Sequence, residues 1–336
     1  MTDRYSRQTL FNPIGKQGQE NINAKHVMII GCGALGSANA EVLVRAGVGK
    51  LTIIDRDYVE LSNLQRQQLY TEQDVEEELP KAIAAKNRLT QLNSHVEIDA
   101  YVMDAVAESI IPLLTNVDLI MDATDNFDIR FIINDLAHKY DIPWIFGSCV
   151  GSTGMSYTVL PGQTPCLSCL LSTMPLSGAT CDSVGIITPT IQMVVAHQTT
   201  EALKLLVEDD QALRSKLVTF DLWNNMYQTI NVERTKKHDC PTCGENPSYA
   251  YLTYDAQTKT EVLCGRDTVQ IRANREFELD ELAANLNRIG TVKQNPFLLS
   301  LHYQSYRIVF FQDGRTFVHG TNSIEKAKSI YYQLVG

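Results

Sequence analysis

The sequence lacks a long hydrophobic run and lacks an excess of positive charge. No apolar stretch in its 336 residues approaches the ~20 residues that a membrane-spanning helix needs. Lysine and arginine total 29 against 39 acidic residues, a formal net charge of −10, which argues against nucleic acid or an anionic membrane as a partner. Residues 1–7 also lack the pattern of a signal peptide. We therefore expect a cytoplasmic, globular protein.

The cysteines are numerous for a chain without a secretion signal, which favours metal binding or thiol chemistry over disulfides. Four of the eight form two C-x-x-C pairs, Cys166 with Cys169 and Cys240 with Cys243. Together they supply four thiolates, the ligand set of a tetrahedral structural zinc site. Because protein would fill every ligand position, the sequence predicts a Zn²⁺ ion that joins distant segments and takes no part in catalysis.

A glycine-rich motif follows the first strongly apolar run. Residues 27–30 lead into Gly31, Gly33 and Gly36, and a second apolar run ends at Asp55. A strand that feeds G-x-G-x-x-G into a helix, with an acid after the next strand, is the fingerprint of a dinucleotide-binding fold. The glycines let main-chain amides approach a phosphate, and the acid can accept hydrogen bonds from ribose hydroxyls. The predicted fold is an α/β, Rossmann-like doubly wound sheet.

The segment after Asp55 favours ATP over NAD. An NAD dehydrogenase needs no polar, arginine-bearing segment here, whereas an enzyme that splits a triphosphate needs donors and cations. Residues 55–67 read D-R-D-Y-V-E-L-S-N-L-Q-R-Q, which resembles the D-x-D-x-V-x-x-S-N-L-x-R-Q signature of the ThiF/MoeB/HesA adenylyltransferases, relatives of the ubiquitin-activating enzymes. The resemblance implies ATP as the ligand and places further side chains at the nucleotide, its phosphates or metal-bound water: Asp57, Ser62, Asn63, Arg66 and Gln67.

Two basic residues match further family motifs. R-Y-x-R-Q near the start of the chain implies that Arg7 reaches a nucleotide's phosphates from the neighbouring subunit, which would make a homodimer the active unit. A solvated leading helix explains the same residues. Lys81 begins a predicted helix over 81–93, where a cation can reach a polyphosphate. The family commonly has G-x-x-K here, but this chain has Glu78 in place of the glycine.

An acidic motif follows the predicted strand 117–121. Residues 122–126 match the family's D-x-T-D-N, which implies that Asp125 holds a Mg²⁺ ion that bridges the phosphates and that Asn126 lies beside it on the nucleotide. Alternatively, Asp122 or Asp125 merely caps the predicted helix 127–140. Downstream, Cys181 lies before the predicted helix 189–207. Some family members use a cysteine here in thioester or persulfide chemistry, although a lone cysteine is also commonly an idle thiol.

The remaining apolar patterns predict the rest of the fold. In the first domain, 1–248, we expect helices over 34–46 and 104–114, strands over 96–101, 143–150 and 157–160, and a hairpin of 216–221 with 226–232. In relatives this hairpin region cradles the protein substrate. A small α+β domain, 249–336, is expected to have strands within 260–273 and 297–311, helices over 279–289 and 323–334, and a turn at 313–315. It lacks the C-x-x-x-x-x-R loop of a rhodanese domain, and the sequence assigns it no chemistry.

The resemblance implies an enzyme that uses ATP to adenylate the C-terminal Gly-Gly carboxylate of a small, ubiquitin-like sulfur-carrier protein. The implied catalytic residues are Arg7, Arg66, Lys81, Asp125 and Cys181. The motifs resemble the MoeB branch slightly more closely, so we expect the molybdopterin-synthase carrier of molybdenum cofactor biosynthesis, with the thiamin-pathway carrier as the alternative. Two alternatives from other classes are an NAD(P)-dependent oxidoreductase and a non-catalytic carrier-binding scaffold.

Overall fold

The computed structural model describes residues 3–171, 184–252, 260–262, 267–273 and 275–335, and the chain separates into two units. The first unit contains the described residues of 1–76, 80–179 and 184–254. The second unit contains residues 77–79 and the described residues of 255–336. No helix in these described ranges is both long and apolar enough to cross a bilayer.

The first unit is built on one eight-stranded sheet. Its strands are β1 (His26–Ile30), β2 (Lys50–Asp55), β3 (Glu97–Val102), β4 (Leu119–Asp122), β5 (Trp144–Val150), β6 (Thr153–Val159), β7 (Lys216–Asp221) and β8 (Met226–Asn231). Its described helices are α1 (Ser6–Thr9), α2 (Gly15–Ala24), α3 (Ala34–Ala46), α4 (Glu72–Glu76), α5 (Lys81–Leu92), α6 (Ala107–Ile110), α7 (Phe127–Tyr140), α8 (Leu167–Leu171) and α9 (Thr188–Leu206).

The strand order is β3-β2-β1-β4-β5-β6-β7-β8. Strands β1 to β5 pair in parallel, and β6 to β8 add antiparallel strands at one side. Every residue of β1 is buried, as expected for a parallel strand covered on both faces. Helix α3 packs on β1, and α9 packs on α3, β5 and β6. This arrangement confirms the predicted α/β doubly wound sheet.

In its described residues, the second unit is an antiparallel sheet with two helices. Its order is β11-β12-β13-β14-β10-β9, formed by β9 (Thr260–Val262), β10 (Thr268–Arg272), β11 (Thr291–Gln294), β12 (Leu298–Tyr303), β13 (Tyr306–Phe311) and β14 (Arg315–His319). The helices are α10 (Leu279–Leu286) and α11 (Ile324–Val335). Leu286, Leu301, Phe310 and Ile330 belong to its own apolar core, so this α+β unit has the hydrophobic centre that an independent domain needs.

Several predicted elements have different limits in the structure. The helix predicted over 104–114 is reduced to α6 and a short 3-10 turn, Ile111–Leu113, because Pro112 lacks the N–H that a continuing helix needs. Strand β6 begins at Thr153 rather than at residue 157. Helix α10 ends at Leu286 rather than at residue 289. Strands β11 and β14 were not predicted, since both are short and lie beside turn residues.

Candidate active site and cysteine cluster

Three parallel strands end side by side at the predicted nucleotide site. Ile30 at the end of β1 is level with Ile54 in β2 and with Asp122 in β4. The strand order reverses between β1 and β4, and ligands of open α/β sheets bind at such a switch point beyond the carboxyl ends of the strands. The structure therefore brings together the glycine loop (residues 31–36), Asp55 and the acidic loop (residues 122–126).

Close packing explains two of the three glycines. Gly31 has a φ of +90°, and a Cβ there would lie 2.6 Å from the carbonyl oxygen of Ala123. A Cβ on Gly36 would overlap the carbonyl of Gly31. Gly33 is the N-cap of α3 and provides no side-chain cap. The start of α3 thus lies tightly against the strand ends, with main-chain amides and the positive end of the helix dipole available to an anion.

Asp55 is held in place by main-chain donors. Its Oδ2 accepts a hydrogen bond from the amide of Cys32 at 2.5 Å, and its Oδ1 accepts one from the amide of Asp57 at 2.7 Å. Burial raises the pKa of the Asp55 carboxyl, and the charge of Lys81 opposes that rise. Asp55, which was predicted to bind the ribose, therefore also fixes the glycine loop to the end of β2.

Lys81 lies at the start of α5 and is paired within the site. Its Nζ lies 3.0 Å from Oδ2 of Asp57, and its main-chain amide donates to the carbonyl of Asp57 at 2.9 Å. Only 3% of the residue is exposed. The ion pair keeps a cation beside Asp55, and it brings together two residues that were predicted to contact the nucleotide.

Glu78, at the glycine position of the family's G-x-x-K pattern, has a left-handed backbone conformation. Its φ is +50°, in the left-handed region that glycine enters most easily. Residues 77–79 belong to the second unit, where Arg307 donates to Oε1 of Glu78 at 2.8 Å. In the same unit, Asn295 donates to the carbonyl oxygens of Glu77 and Glu78. Glu78 therefore keeps a positive φ without a glycine, and its side chain and carbonyl are held by partners in the same unit.

The 61–67 segment contributes two buried amide side chains and one arginine. Asn63 is 1% exposed, and its Oδ1 accepts from the amide of Glu60 at 3.0 Å, so it shapes the local turn. Gln67 is 4% exposed and lies beside Gly33; its Oε1 has no hydrogen-bond partner among the described residues. Such an orphaned buried oxygen is unfavourable unless a ligand or water satisfies it. The guanidinium of Arg66 donates to the carbonyl of Ser62 at 2.8 Å, and Ser62 itself is exposed.

The acidic loop has a buried anchor that the sequence reasoning missed. Arg130 in α7 donates from Nε to Asp122 at 3.0 Å and from Nη2 to the carbonyl oxygens of Thr124 and Gly147. Asp122 is fully buried, whereas Asp125 is exposed. The signal that could have identified Arg130 is its position on the predicted helix, four residues after Asn126.

The capping alternative applies to neither aspartate. Asn126 is the N-cap of α7, and its side chain accepts from the amide of Asp128 at 2.7 Å. Asp125 is left facing outward, at the edge of the sheet where the glycine loop lies. Arg7 is exposed on α1, and the predicted residue Cys181 lies outside the described residues.

The two cysteine pairs meet in space. The Sγ atoms of Cys166 and Cys240 are 3.5 Å apart, those of Cys169 and Cys243 are 3.6 Å apart, and all four lie within 4.8 Å of one another. Tetrahedral zinc with Zn–S bonds of about 2.3 Å requires S···S separations of roughly 3.8 Å. Burial raises the pKa of the Cys169 thiol, so a bound cation would be needed to hold a thiolate there. The donors and spacing fit zinc.

Comparisons with known proteins show which family the chain belongs to. The family model described as the ThiF family matches residues 5–242. The chain belongs to the ThiF family. It is 51% identical to a sulfur carrier protein ThiS adenylyltransferase of Bacillus subtilis over the full length of both chains. It is 35% identical to a sulfur carrier protein adenylyltransferase of Thermus thermophilus, over 76% of this chain and 95% of that protein.

More distant relatives and solved structures cover less of the chain. The adenylyltransferase and sulfurtransferase MOCS3 of Culex quinquefasciatus is 33% identical over 74% of this chain and 57% of that protein. A crystal structure of Escherichia coli MccB with succinimide superposes with a TM-score of 0.63 at 20% identity, over 73% of this chain and 75% of that one; this likeness concerns the fold. The protein is therefore an adenylyltransferase with a ThiF-family fold.

Proposed function

We propose that this ThiF-family enzyme adenylates the C-terminal carboxylate of a thiamin-pathway sulfur carrier. One observation carries the choice of carrier: the 51% identity to a ThiS adenylyltransferase extends over the whole chain, second unit included. The MOCS3 relatives match only about three-quarters of it, as at 74% for the mosquito protein. These matches favour the thiamin-pathway carrier over the molybdopterin-synthase carrier, which the motifs had led us to expect. None of these matches supports the alternative of an NAD(P)-dependent oxidoreductase.

The proposed reaction is a nucleotidyl transfer. An oxygen of the carrier's terminal carboxylate attacks the α-phosphorus of ATP, the bond from that phosphorus to its bridging oxygen breaks, and pyrophosphate leaves with the bonding electrons. A protein acyl-adenylate remains for a sulfur donor to intercept. Such a reaction mainly requires positioning and charge neutralisation. The packed glycine loop, the start of α3 and the fixed Asp55 carboxylate support the placement of the nucleoside and phosphates at the ends of β1 and β2.

The charged residues have separate proposed roles. Arg66 and Lys81 stabilise the negative charge that moves to pyrophosphate, and the unpartnered Oε1 of Gln67 takes a donor from the ligand or from water. Asp125 would hold Mg²⁺, which when bound neutralises phosphate oxygens. Arg7 is exposed and would act on the site of a second copy, which makes a homodimer the proposed active form.

The hairpin formed by β7 and β8 is the proposed docking surface for the carrier. Strand β8 is the last strand of the sheet, and all six of its residues are exposed. Trp223 is 77% exposed, Met226 and Tyr227 are each 53% exposed, and Ile230 is 42% exposed. Exposed large apolar side chains on an edge strand and on the turn before it are typical of a protein-binding surface. The carrier is the occupant that the proposed reaction requires.

Ligand binding and pyrophosphate release test the enzyme class. We expect calorimetry to detect binding of ATP and not of NAD. We also expect pyrophosphate release to require a carrier with an intact C-terminal Gly-Gly, with the same carrier truncated by two residues as the matched control. Binding of NAD would support the oxidoreductase alternative. Carrier binding without pyrophosphate release would support the scaffold alternative.

A further inference from the structure

We propose that α7 couples the four-cysteine cluster to the acidic loop: Asn134 and Asp135 are positioning residues for the metal, and loss of the metal weakens binding of ATP with Mg²⁺. The second part rests on the proposed function, because it assumes that the acidic loop binds the nucleotide and its cation. We call residues 166–169 the first knuckle and residues 240–243 the second knuckle. Helix α7 contacts both knuckles and also begins at the acidic loop.

Asn134 holds the first knuckle. Its Oδ1 accepts from the amide of Leu167 at 2.9 Å, and its Nδ2 donates to Oγ of Ser168 at 3.3 Å. Both partners lie between the two cysteines of the knuckle. Asn134 is fully buried, so its amide has a fixed orientation that is matched to this turn.

Asp135 holds the second knuckle. Its Oδ1 accepts from Oγ1 of Thr242 at 2.6 Å, and its Oδ2 accepts from the amide of Tyr251 at 3.0 Å. Thr242 lies between Cys240 and Cys243, and Asp135 is fully buried. Neighbouring positions on one helix thus hold the two knuckles, whose hydroxyls also meet: Oγ of Ser168 lies 3.3 Å from Oγ1 of Thr242.

Arg130 completes the connection to the acidic loop. It lies one helical turn before Asn134 and bonds Asp122 and the carbonyl of Thr124. Its guanidinium also lies about 5 Å from the ring centroids of Phe127 and Phe146, at 5.0 and 5.1 Å. The distance along the helix from Asn126 to Asp135 is roughly 14 Å at 1.5 Å per residue. The backbone of α7 therefore connects the hydrogen bonds at the knuckles to those at the loop that carries Asp125.

The energetic argument follows from burial. Without a metal, nothing covalent joins the two knuckles, and each can move away from α7. The buried amide of Asn134 and carboxylate of Asp135 would then lose partners, which is costly for groups that water cannot reach. Asn134 and Asp135 can regain hydrogen-bond partners only if α7 shifts. Because Arg130 on α7 bonds Asp122 and the carbonyl of Thr124, a shift of the helix would also move the acidic loop. Contiguous contacts of this kind can carry coupling between two sites, and a measurement of that coupling is needed to show it.

The first measurement is zinc affinity, determined in the full-length protein by competition with a chromophoric chelator. We expect Asn134→Ala and Asp135→Asn each to weaken zinc binding about 10- to 100-fold, the usual effect of removing a group that supports metal ligands. Asp141→Asn is the matched control, because Asp141 is an exposed acid at the end of the same helix. Wild-type zinc affinity in both variants would overturn the assignment.

The second measurement is ATP affinity with Mg²⁺ by calorimetry, in the zinc-loaded and zinc-stripped protein without any carrier. We expect stripping to weaken ATP binding roughly tenfold, within the usual range of coupling between sites, and added Zn²⁺ to restore it. Circular dichroism shows whether the stripped chain stays folded; if it unfolds, zinc affinity with and without ATP gives the same coupling factor by reciprocity. Equal ATP affinity in both forms overturns the coupling. If the zinc-loaded protein fails to bind ATP, both the proposed function and the proposed coupling are contradicted. In that case the zinc-affinity measurement still decides the roles of Asn134 and Asp135.

Discussion

At the scale of residues, the charged side chains near the glycine loop fall into two groups. Asp55, Lys81 and Asp122 are buried and have partners that fix their positions. Asp125 is exposed, and Arg66 is partly exposed with a single bond to a main-chain carbonyl. Replacing the first group would disturb the fold together with the site. The second group offers cleaner tests of chemistry.

Asp125→Ala is expected to lower the rate of ATP–pyrophosphate exchange by at least about 100-fold, because loss of one preorganised charge interaction commonly costs that much. The melting temperature should stay unchanged, since the side chain is exposed. Asp128→Ala, an exposed acid three residues away, is the control and should remain within a few-fold of wild type. Exchange at the wild-type rate in Asp125→Ala would remove this residue from the proposed mechanism.

Arg66→Ala is also expected to reduce exchange by roughly 100- to 1000-fold. Its effect should appear mainly in the maximal rate, because the arginine is assigned to charge that develops as pyrophosphate leaves. Arg45→Ala removes an exposed arginine that pairs with Glu41 on α3, and it should leave exchange unchanged. A variant at position 66 with only a raised KM for ATP would show that Arg66 contributes ground-state binding alone.

At the scale of elements, local signals determined how much the sequence could predict. Helix α7 was predicted with its observed limits, and the structure shows that Asn126 caps its start and that Asp141 ends it at a φ of +54°. The proline in 104–114 was given too little weight, and the helix there is short. Arg130 was missed because its partners, Asp122 and the carbonyl of Gly147, come together only in the folded sheet.

The docking hairpin can be tested without disturbing the nucleotide site. The double variant Trp223→Ser with Tyr227→Ser removes two exposed aromatic side chains. We expect KM for the carrier to rise at least tenfold, because buried aromatic anchors dominate protein interfaces, while calorimetric ATP affinity and thermal stability stay the same. Tyr332→Ser, which removes an aromatic residue that is 61% exposed in the second unit, is the control. An unchanged carrier KM would exclude this hairpin as the docking surface.

Cys169→Ser is expected to release zinc and to lower the melting temperature by at least about 5 °C, since a structural metal contributes directly to folding free energy. Metal analysis by mass spectrometry and differential scanning calorimetry measure the two effects. Cys149→Ser changes a cysteine outside the cluster and should keep the zinc content of wild type. Full zinc content in Cys169→Ser would refute the prediction that the four cysteines bind a Zn²⁺ ion that joins distant segments.

At the scale of the whole molecule, the sequence predicted the enzyme family better than the carrier. The motifs from Arg7 to Asn126 concern ATP, which every family member with this activity must bind, so they indicate the reaction. Carrier choice depends on an interface spread over exposed side chains, and no short motif marks it. The 51% identity to a ThiS adenylyltransferase includes the second unit, for which the sequence suggested no chemistry.

The most direct test is ATP–pyrophosphate exchange with a purified thiamin-pathway carrier, with a molybdopterin-synthase carrier, and with no carrier. We predict exchange that depends on the thiamin-pathway carrier, with at least tenfold lower kcat/KM for the other. Exchange that requires the molybdopterin-synthase carrier would contradict the proposed substrate and keep the proposed chemistry. ATP binding without exchange in any of the three samples would contradict the proposal that this protein activates a sulfur carrier.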